Sequence, residues 1–298
     1  RGVEGGVLHA IVLNSQDCDL ANLHNIARGG VGDSGDKQLE WLRASLDGVR
    51  SRGQQALIAG HIPPGVWSGC HSNFSDTYES IVSEYRAQVS VQLFGHRHSG
   101  TFRLLGDRTK KDYHSVAWVT PSLAPYKMQN PSFRVYTLGP TSDHWPRWSP
   151  STSVVRLDQF STDLNATAHG DGHAEWRLRF SLPHSLALDA LGPGYMLEAA
   201  ANLFRNSTLA ESYRKLESNG RPYMGCHFEM LVWPCAILNV RTRDMVECSS
   251  RSEEMLVKDY FCQQQMYEIT RYIKWDALYN NFCPVFQGLT GDECAGDS

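Results

Sequence analysis

Ala59-Gly60-His61-Ile62-Pro63-Pro64-Gly65 and Phe94-Gly95-His96-Arg97-His98 bracket the stretch that decides the fold of this chain. An apolar run precedes each histidine cluster: Ala56-Leu57-Ile58-Ala59 before the first, Val89-Ser90-Val91-Gln92-Leu93-Phe94 before the second. Short apolar runs that stop at glycine read as buried strands entering loops. Ligand sites of open α/β sheets lie just past the carboxyl ends of the strands. Three imidazoles at two such ends are therefore placed to converge on metal.

Neutral imidazole is a ligand for zinc, iron and manganese. His96 and His98 are one residue apart, so an extended segment would face both rings to one side. A loop would let them reach two different ions. The glycine before each cluster allows a sharp turn or a close approach of the backbone to an ion. A single Gly-His pair is ordinary surface. Gly-His-x-His after a strand, with a second Gly-His after another, makes His61, His96 and His98 the candidate ligand set.

In chain order, residues 6–14 read as a central strand, with His9 packed inside it. Residues 15–34 carry asparagines and glycines without period and read as a long loop, of the kind that walls active sites. Leu39, Leu42, Leu46 and Val49 recur at helical spacing from about Asp36 to Val49, with Ser34 or Asp36 to cap the start. Pro63-Pro64 denies a helix to the loop after His61. A second helix spans roughly Thr77–Gln88, with Asp76 and Glu79 at capping-box spacing. Strand–helix–strand–helix–strand, joined by right-handed crossovers, brings His61 and His96 to one edge. Thr101–Leu105, a Gly106-Asp107 turn, Tyr113–Val119 and Phe133–Leu138 look like an antiparallel meander. Pro140–Pro150 reads as a surface linker, and Tyr195–Leu216 has helical spacing.

The 298 residues, 41% hydrophobic, suffice for one large domain or two ordinary ones. A net charge of −4 gives no basic footprint for nucleic acid or an anionic membrane. No apolar run reaches membrane-spanning length; the longest, near Met230–Val240, is broken by Trp233-Pro234-Cys235. The chain begins at Arg1 without a methionine or a signal pattern and reads as a fragment or a processed product. Eight cysteines and the sequons at Asn73, Asn165 and Asn206 suggest the secretory route. Six of those cysteines crowd the last quarter (Cys226, Cys235, Cys248, Cys262, Cys283, Cys294). A zinc ribbon competes there with disulfides, and the lack of any Cys-x-x-Cys favours disulfides. His169, Asp171 and His173 alternate in a Gly-rich stretch and read as an exposed loop. His144, His184 and His227 are isolated.

Gly60–Gly65 with Gly95–His98 resembles the calcineurin-like metallophosphoesterases and, more narrowly, the acid sphingomyelinase family. Leu13-Asn14-Ser15 with Cys18, Gln38-Leu39-Glu40-Trp41-Leu42 and Asn130-Pro131-Ser132-Phe133-Arg134-Val135-Tyr136 resemble that family in order and spacing. The likeness is strong over 7–138 and traceable to about 215. It implies an α/β fold: the C-terminal half of a metallophosphoesterase β-sandwich flanked by helices, then a cysteine-rich, mainly helical C-terminal region. The implied division is 1–140 for the phosphoesterase half, 141–160 for a linker and 161–298 for a disulfide-rich sphingomyelinase-type domain.

The resemblance makes Cys18 a disulfide partner of Cys70, tying two rims of the pocket; such closures contribute about 2–4 kcal/mol. It places Tyr126 near the substrate, where its hydroxyl would meet a phosphate oxygen; a tyrosine simply packed in a loop is the other reading. The family's two-metal site resembles Asp-x-His, Gly-Asp and Gly-Asn-His followed by Gly-His and Gly-His-x-His, and only the last two are matched here. The chain is thus expected to be half of an enzyme with little activity alone. The implied cofactor is a pair of Zn²⁺ ions, with manganese or iron suited to the same ligands, His61 and His96 on one ion and His98 on the other. The implied reaction is metal-dependent phosphodiester hydrolysis, sphingomyelin to ceramide and phosphocholine. Nucleotide-like phosphodiesters are the runner-up, and a secreted non-catalytic glycoprotein on the same scaffold is a third reading. Partners would be a phospholipid substrate and transient membrane-surface contact, without nucleic acid or a transmembrane segment. The expected location is secreted or lysosomal.

Overall fold

A run such as Gln55-Ala-Leu-Ile-Ala59 or Val89-Ser-Val-Gln-Leu-Phe94 buries alternate or successive side chains and stops at glycine, which fixes both the strand and its end. The computed structural model of the chain describes residues 8–28, 31–65, 68–107, 112–125, 129–141, 150–170, 173–217, 219 and 237. Its first half runs β1 (Leu8–Val12), a 3-10 turn (Ser15–Cys18), α1 (Leu23–Arg28), α2 (Asp33–Ser51), β2 (Gln55–Ala59), α3 (Ser72–Glu84) and β3 (Val89–Phe94). Then follow β4 (Thr101–Asp107), β5 (Asp112–Val119), β6 (Ser132–Pro140), β7 (Thr152–Ser161), α4 (Leu164–His169), β8 (Arg177–Leu182), α5 (Pro193–Arg205) and α6 (Ser207–Glu217).

The first five strands form one sheet in the order β1-β2-β3-β5-β4. β1, β2, β3 and β5 are mutually parallel, and β4 returns antiparallel at the edge. The carboxyl ends of four strands therefore open on one edge. β6, β7 and β8 form a second, antiparallel sheet.

Two cores hold these layers. On one face of the large sheet, Ile11, Ala56, Ile58 and Phe94 pack with Leu39, Leu42, Leu46 and Val49 of α2 and Phe74, Tyr78, Ile81 and Val82 of α3. On the other, Val91, Phe102, Leu104 and Trp118 meet Val154, Leu157, Phe180 and Leu182 of the second sheet, with Met196 and Leu203 of α5 and Tyr213 of α6. A buried polar chain crosses the first core: Tyr78 donates to Gln92 Oε1 at 2.6 Å, and Gln92 Nε2 donates to Ser115 Oγ at 2.6 Å. Both amide ends are satisfied, so Gln92 is accommodated at 0% exposure. Burial drives the Tyr78 hydroxyl pKa upward.

The architecture is mixed α/β, as the strand–helix alternation implies: α2 and α3 cover one face of a largely parallel sheet, and the second sheet with α5 and α6 covers the other. Several details differ. Residues 15–34, expected as plain loop, hold the 3-10 turn, α1 and the start of α2. α2 starts at Asp33 behind Gly32, not behind a Ser34 or Asp36 cap; Asp33 and Asp36 lie in its first turn and complement the helix dipole. α3 is Ser72–Glu84 rather than Thr77–Gln88, so Asp76 and Glu79 are interior and form no capping box. Its apolar stripe extends one turn back to Phe74, and the chain is already pinned at Cys70, from which the helix departs. Gly106 is not a turn residue: β4 continues through it at a register shift, where a Cβ would stand 2.3 Å from Asp112 O. The expected meander breaks after β5, because β6 leaves for the second sheet. Residues 152–160, expected within the linker, belong to the ten-residue β7, the middle strand of that sheet. The helical stretch near Tyr195–Leu216 is two helices parted at Asn206. Gly6, Val7, residues 142–149, His227 and the tail cysteines lie outside the described residues.

Candidate metal centre

β2 and β3 are adjacent and parallel with Ala59 opposite Leu93. Their ladder continues past the strand ends: Gly60 N donates to Leu93 O at 3.0 Å and Gly95 N donates to His61 O at 2.9 Å. The two Gly-His dipeptides are thus held side by side. A Cβ on Gly60 would lie 2.9 Å from Phe94 Cε1 and 3.2 Å from Ser15 Oγ, so only glycine fits this crossing. Ser15 Oγ also accepts the Ile62 N–H at 2.6 Å, which anchors the far side of His61 to the loop after β1.

His96 and His98 both have left-handed backbone, φ 65° and 63°. For residues with a Cβ this region costs about 1–2 kcal/mol each. The segment is therefore a loop and not an extended strand, and the two rings are not aligned by a strand repeat. His96 turns onto His61 instead. The ring centroids are 5.2 Å apart with an interplanar angle of 82°, and His96 Nδ1 lies 3.3 Å from His61 Nε2. Two imidazole nitrogens held at about 2.0–2.1 Å by one tetrahedral ion stand about 3.3 Å apart. The pair has that separation, which is also within hydrogen-bond range between the two rings.

His98 is half-buried in the same loop, and its carbonyl accepts from Ser122 N at 3.1 Å. Among the described residues no group of three or more His, Cys, Asp or Glu stands at metal-holding spacing. The structure thus joins His61 with His96 and leaves His98 outside that pair. Tyr126 lies outside the described residues.

Cys18 and Cys70 form a disulfide with Cα atoms 4.8 Å apart, both fully buried. Around it Leu20 N donates to Gly69 O and His71 N to Cys18 O, each at 2.8 Å. Gly69, at φ +88°, passes so close that a Cβ there would be 3.4 Å from His96 Nε2. The disulfide thus fixes a wall of the histidine pair. Gln38 of α2 secures the turn that carries Cys18, donating to Asn14 O at 3.0 Å and to Asp17 Oδ2 at 3.2 Å. Partial burial raises the Asp17 carboxyl pKa above its usual 3.8. Asn73, Asn165 and Asn206 are all exposed. His169 ends a short exposed helix, α4, and His173 and His184 are exposed elsewhere. Reading the sequence did not single out Ser15 as the support of the His61 loop; no periodic signal marks a serine that acts 47 residues away.

The relatives that the chain resembles are named as phosphodiesterases, a class of hydrolase. The chain is 24% identical over 243 residues to sphingomyelin phosphodiesterase A of Dictyostelium discoideum, covering 81% of this chain and 40% of that protein. It is 30% identical over 188 residues to the sphingomyelin phosphodiesterase of Bos taurus, covering 62% of the chain and 28% of the relative. Over 131 residues it is 36% identical to that of Homo sapiens, 44% of the chain and 19% of the relative. It spans less than half the length of each. No protein-family model matches. Over the residues matched, the chain is similar to sphingomyelin phosphodiesterases.

Proposed function

We propose that the chain serves a phosphodiester hydrolase of sphingomyelinase type, releasing phosphocholine from sphingomyelin at a two-ion centre. The observation that carries this is the 3.3 Å approach of His61 Nε2 and His96 Nδ1 at the carboxyl edge of the sheet. His61 and His96 would hold one ion and His98 a second, with zinc first and manganese or iron as substitutes. When bound, such a pair neutralises phosphoryl oxygens and lowers the pKa of an attacking water. The chain's own part is positional: Gly60 and Gly95 bring the rings together, Ser15 and the Cys18–Cys70 bridge hold their walls. Imidazoles alone bring no negative charge to a dication pair, and no carboxylate joins them among the described residues. We therefore propose that this chain by itself turns over little substrate.

The relatives named sphingomyelin phosphodiesterase make a phospholipid the first substrate to try, approached by transient contact with the membrane surface. No helix among the described residues is long and apolar enough to cross a membrane. The buried disulfide and the three exposed sequon asparagines support a route through an oxidising compartment, to the lysosome or outside the cell. The test is phosphocholine release from sphingomyelin vesicles beside hydrolysis of a nucleotide-type diester, with Zn²⁺ supplied, by the longest natural form that carries this chain. Preference for sphingomyelin, lost in His96→Ala, is expected. A faster nucleotide reaction would move the substrate assignment, and equal rates for wild type and His96→Ala would remove the ligand role.

A further inference from the structure

We propose that Arg134 is a positioning residue that locks the His96–His98 loop, and with it the ligand geometry proposed above, on which this role rests. Arg134 stands on β6, in the other sheet. Its Nη1 donates to Val119 O at 2.9 Å and to Thr101 O at 3.1 Å, and its Nε to Gln159 Oε1 at 2.8 Å. Thr101 is the first residue of β4, directly after the histidine loop. Val119 is the last residue of β5, directly before the Thr120–Ser122 segment. One guanidinium thus grips the roots of two loops with a single planar fork.

Those loops are themselves joined. Ser122 N donates to His98 O at 3.1 Å, and Thr120 N to Phe94 O at 2.7 Å. Gly100 leaves the space the clamp needs: a Cβ there would lie 2.4 Å from Arg134 Nη2 and 2.3 Å from Gln159 Oε1. Gln159 is 1% exposed and passes the grip on to the end of α6, donating to Leu216 O at 3.1 Å and to Asn219 Oδ1 at 2.6 Å. Gly100 N reaches the same helix end, at Glu217 O (3.3 Å). The strained histidine backbone is held from behind by charge-assisted bonds to carbonyls, which hold geometry more firmly than neutral ones. Loss of a residue that orients ligands typically costs about 10–100-fold in metal affinity.

The test is amide hydrogen exchange on the full chain, with chelator present, in wild type, Arg134→Lys and Arg134→Met. The clamp predicts at least roughly tenfold faster exchange at Ser122, Thr120 and Gly100, with Leu13 and Gly95 unchanged. Lysine, which lacks the fork, is expected between wild type and methionine, and it carries the test if the methionine variant does not fold. Unchanged protection at Ser122 and Gly100, or a uniform rise at every amide, would overturn the role. A parallel Zn²⁺ titration separates the two proposals. If wild type binds no zinc, the ligand reading fails while the exchange data still decide the clamp.

Discussion

The left-handed backbone of His96 and His98 allows a sign test that does not depend on metal. Alanine at either position keeps a Cβ in the region that costs about 1–2 kcal/mol. Glycine removes that cost and adds about 0.5–1 kcal/mol of unfolded-state entropy. With φ at 65° and 63°, the glycine variant at each position should be the more stable of the two, by about 0.5–1 kcal/mol. His61 is the internal control, since it is not among the described residues with positive φ. There the order reverses, and His61→Ala should exceed His61→Gly by about 0.5–1 kcal/mol. Urea unfolding of the six variants with chelator, read as midpoint and slope, measures this directly. If alanine outranks glycine at all three positions, the strained loop conformation is wrong, and the explanation of how His96 reaches His61 goes with it.

Two further outcomes follow from the fold. The Cys18–Cys70 bridge closes a sequence separation of 52, for which chain entropy gives about 4 kcal/mol. The Cys18→Ser/Cys70→Ser chain should lose about 3–4 kcal/mol in the same unfolding assay, and a loss under about 1 kcal/mol would show that the two rims are held by other contacts. Burial raises the pKa of Asp158 on β7, but bonds from the Ser181 hydroxyl and the Arg156 guanidinium outweigh it and hold the carboxyl below its usual 3.8. Its contribution is complete above that value and is lost as pH falls through the lowered one. The stability gap between wild type and Asp158→Asn should thus be constant at neutral pH and close in acid; a gap that widens in acid would contradict the ion pair.

How much of this was legible depended on where the information lay. β2, β3 and their histidine loops were readable because each apolar run ends at its own glycine, and adjacency of the parallel strands then followed from the crossovers. α3 starts five residues before the expected Thr77 because Phe74, one turn ahead of Tyr78, lies on the same buried face. β7 was hidden for two reasons. It follows a Pro- and Trp-rich stretch, and the register shift opposite Thr137/Leu138 leaves Val155 exposed and interrupts the alternation. Whether the two rings of Gly-His-x-His face together could not be read, because left-handed φ at a histidine has no sequence signature. Phe133–Leu138 was legible as a strand from its pattern, whereas Asn130–Ser132 stood out by resemblance alone. The bonds of Arg134 to Thr101, Val119 and Gln159 span 33, 15 and 25 residues and exist only once two sheets are stacked.

The proposed centre requires His61 and His96 to share one divalent cation. Calorimetric Zn²⁺ titration of the chain and of its His61→Ala, His96→Ala and His98→Ala variants puts that to the test. The expected result is a loss of affinity of roughly tenfold or more in each of the first two variants and a smaller change in the third. Wild-type affinity retained in both His61→Ala and His96→Ala would contradict it.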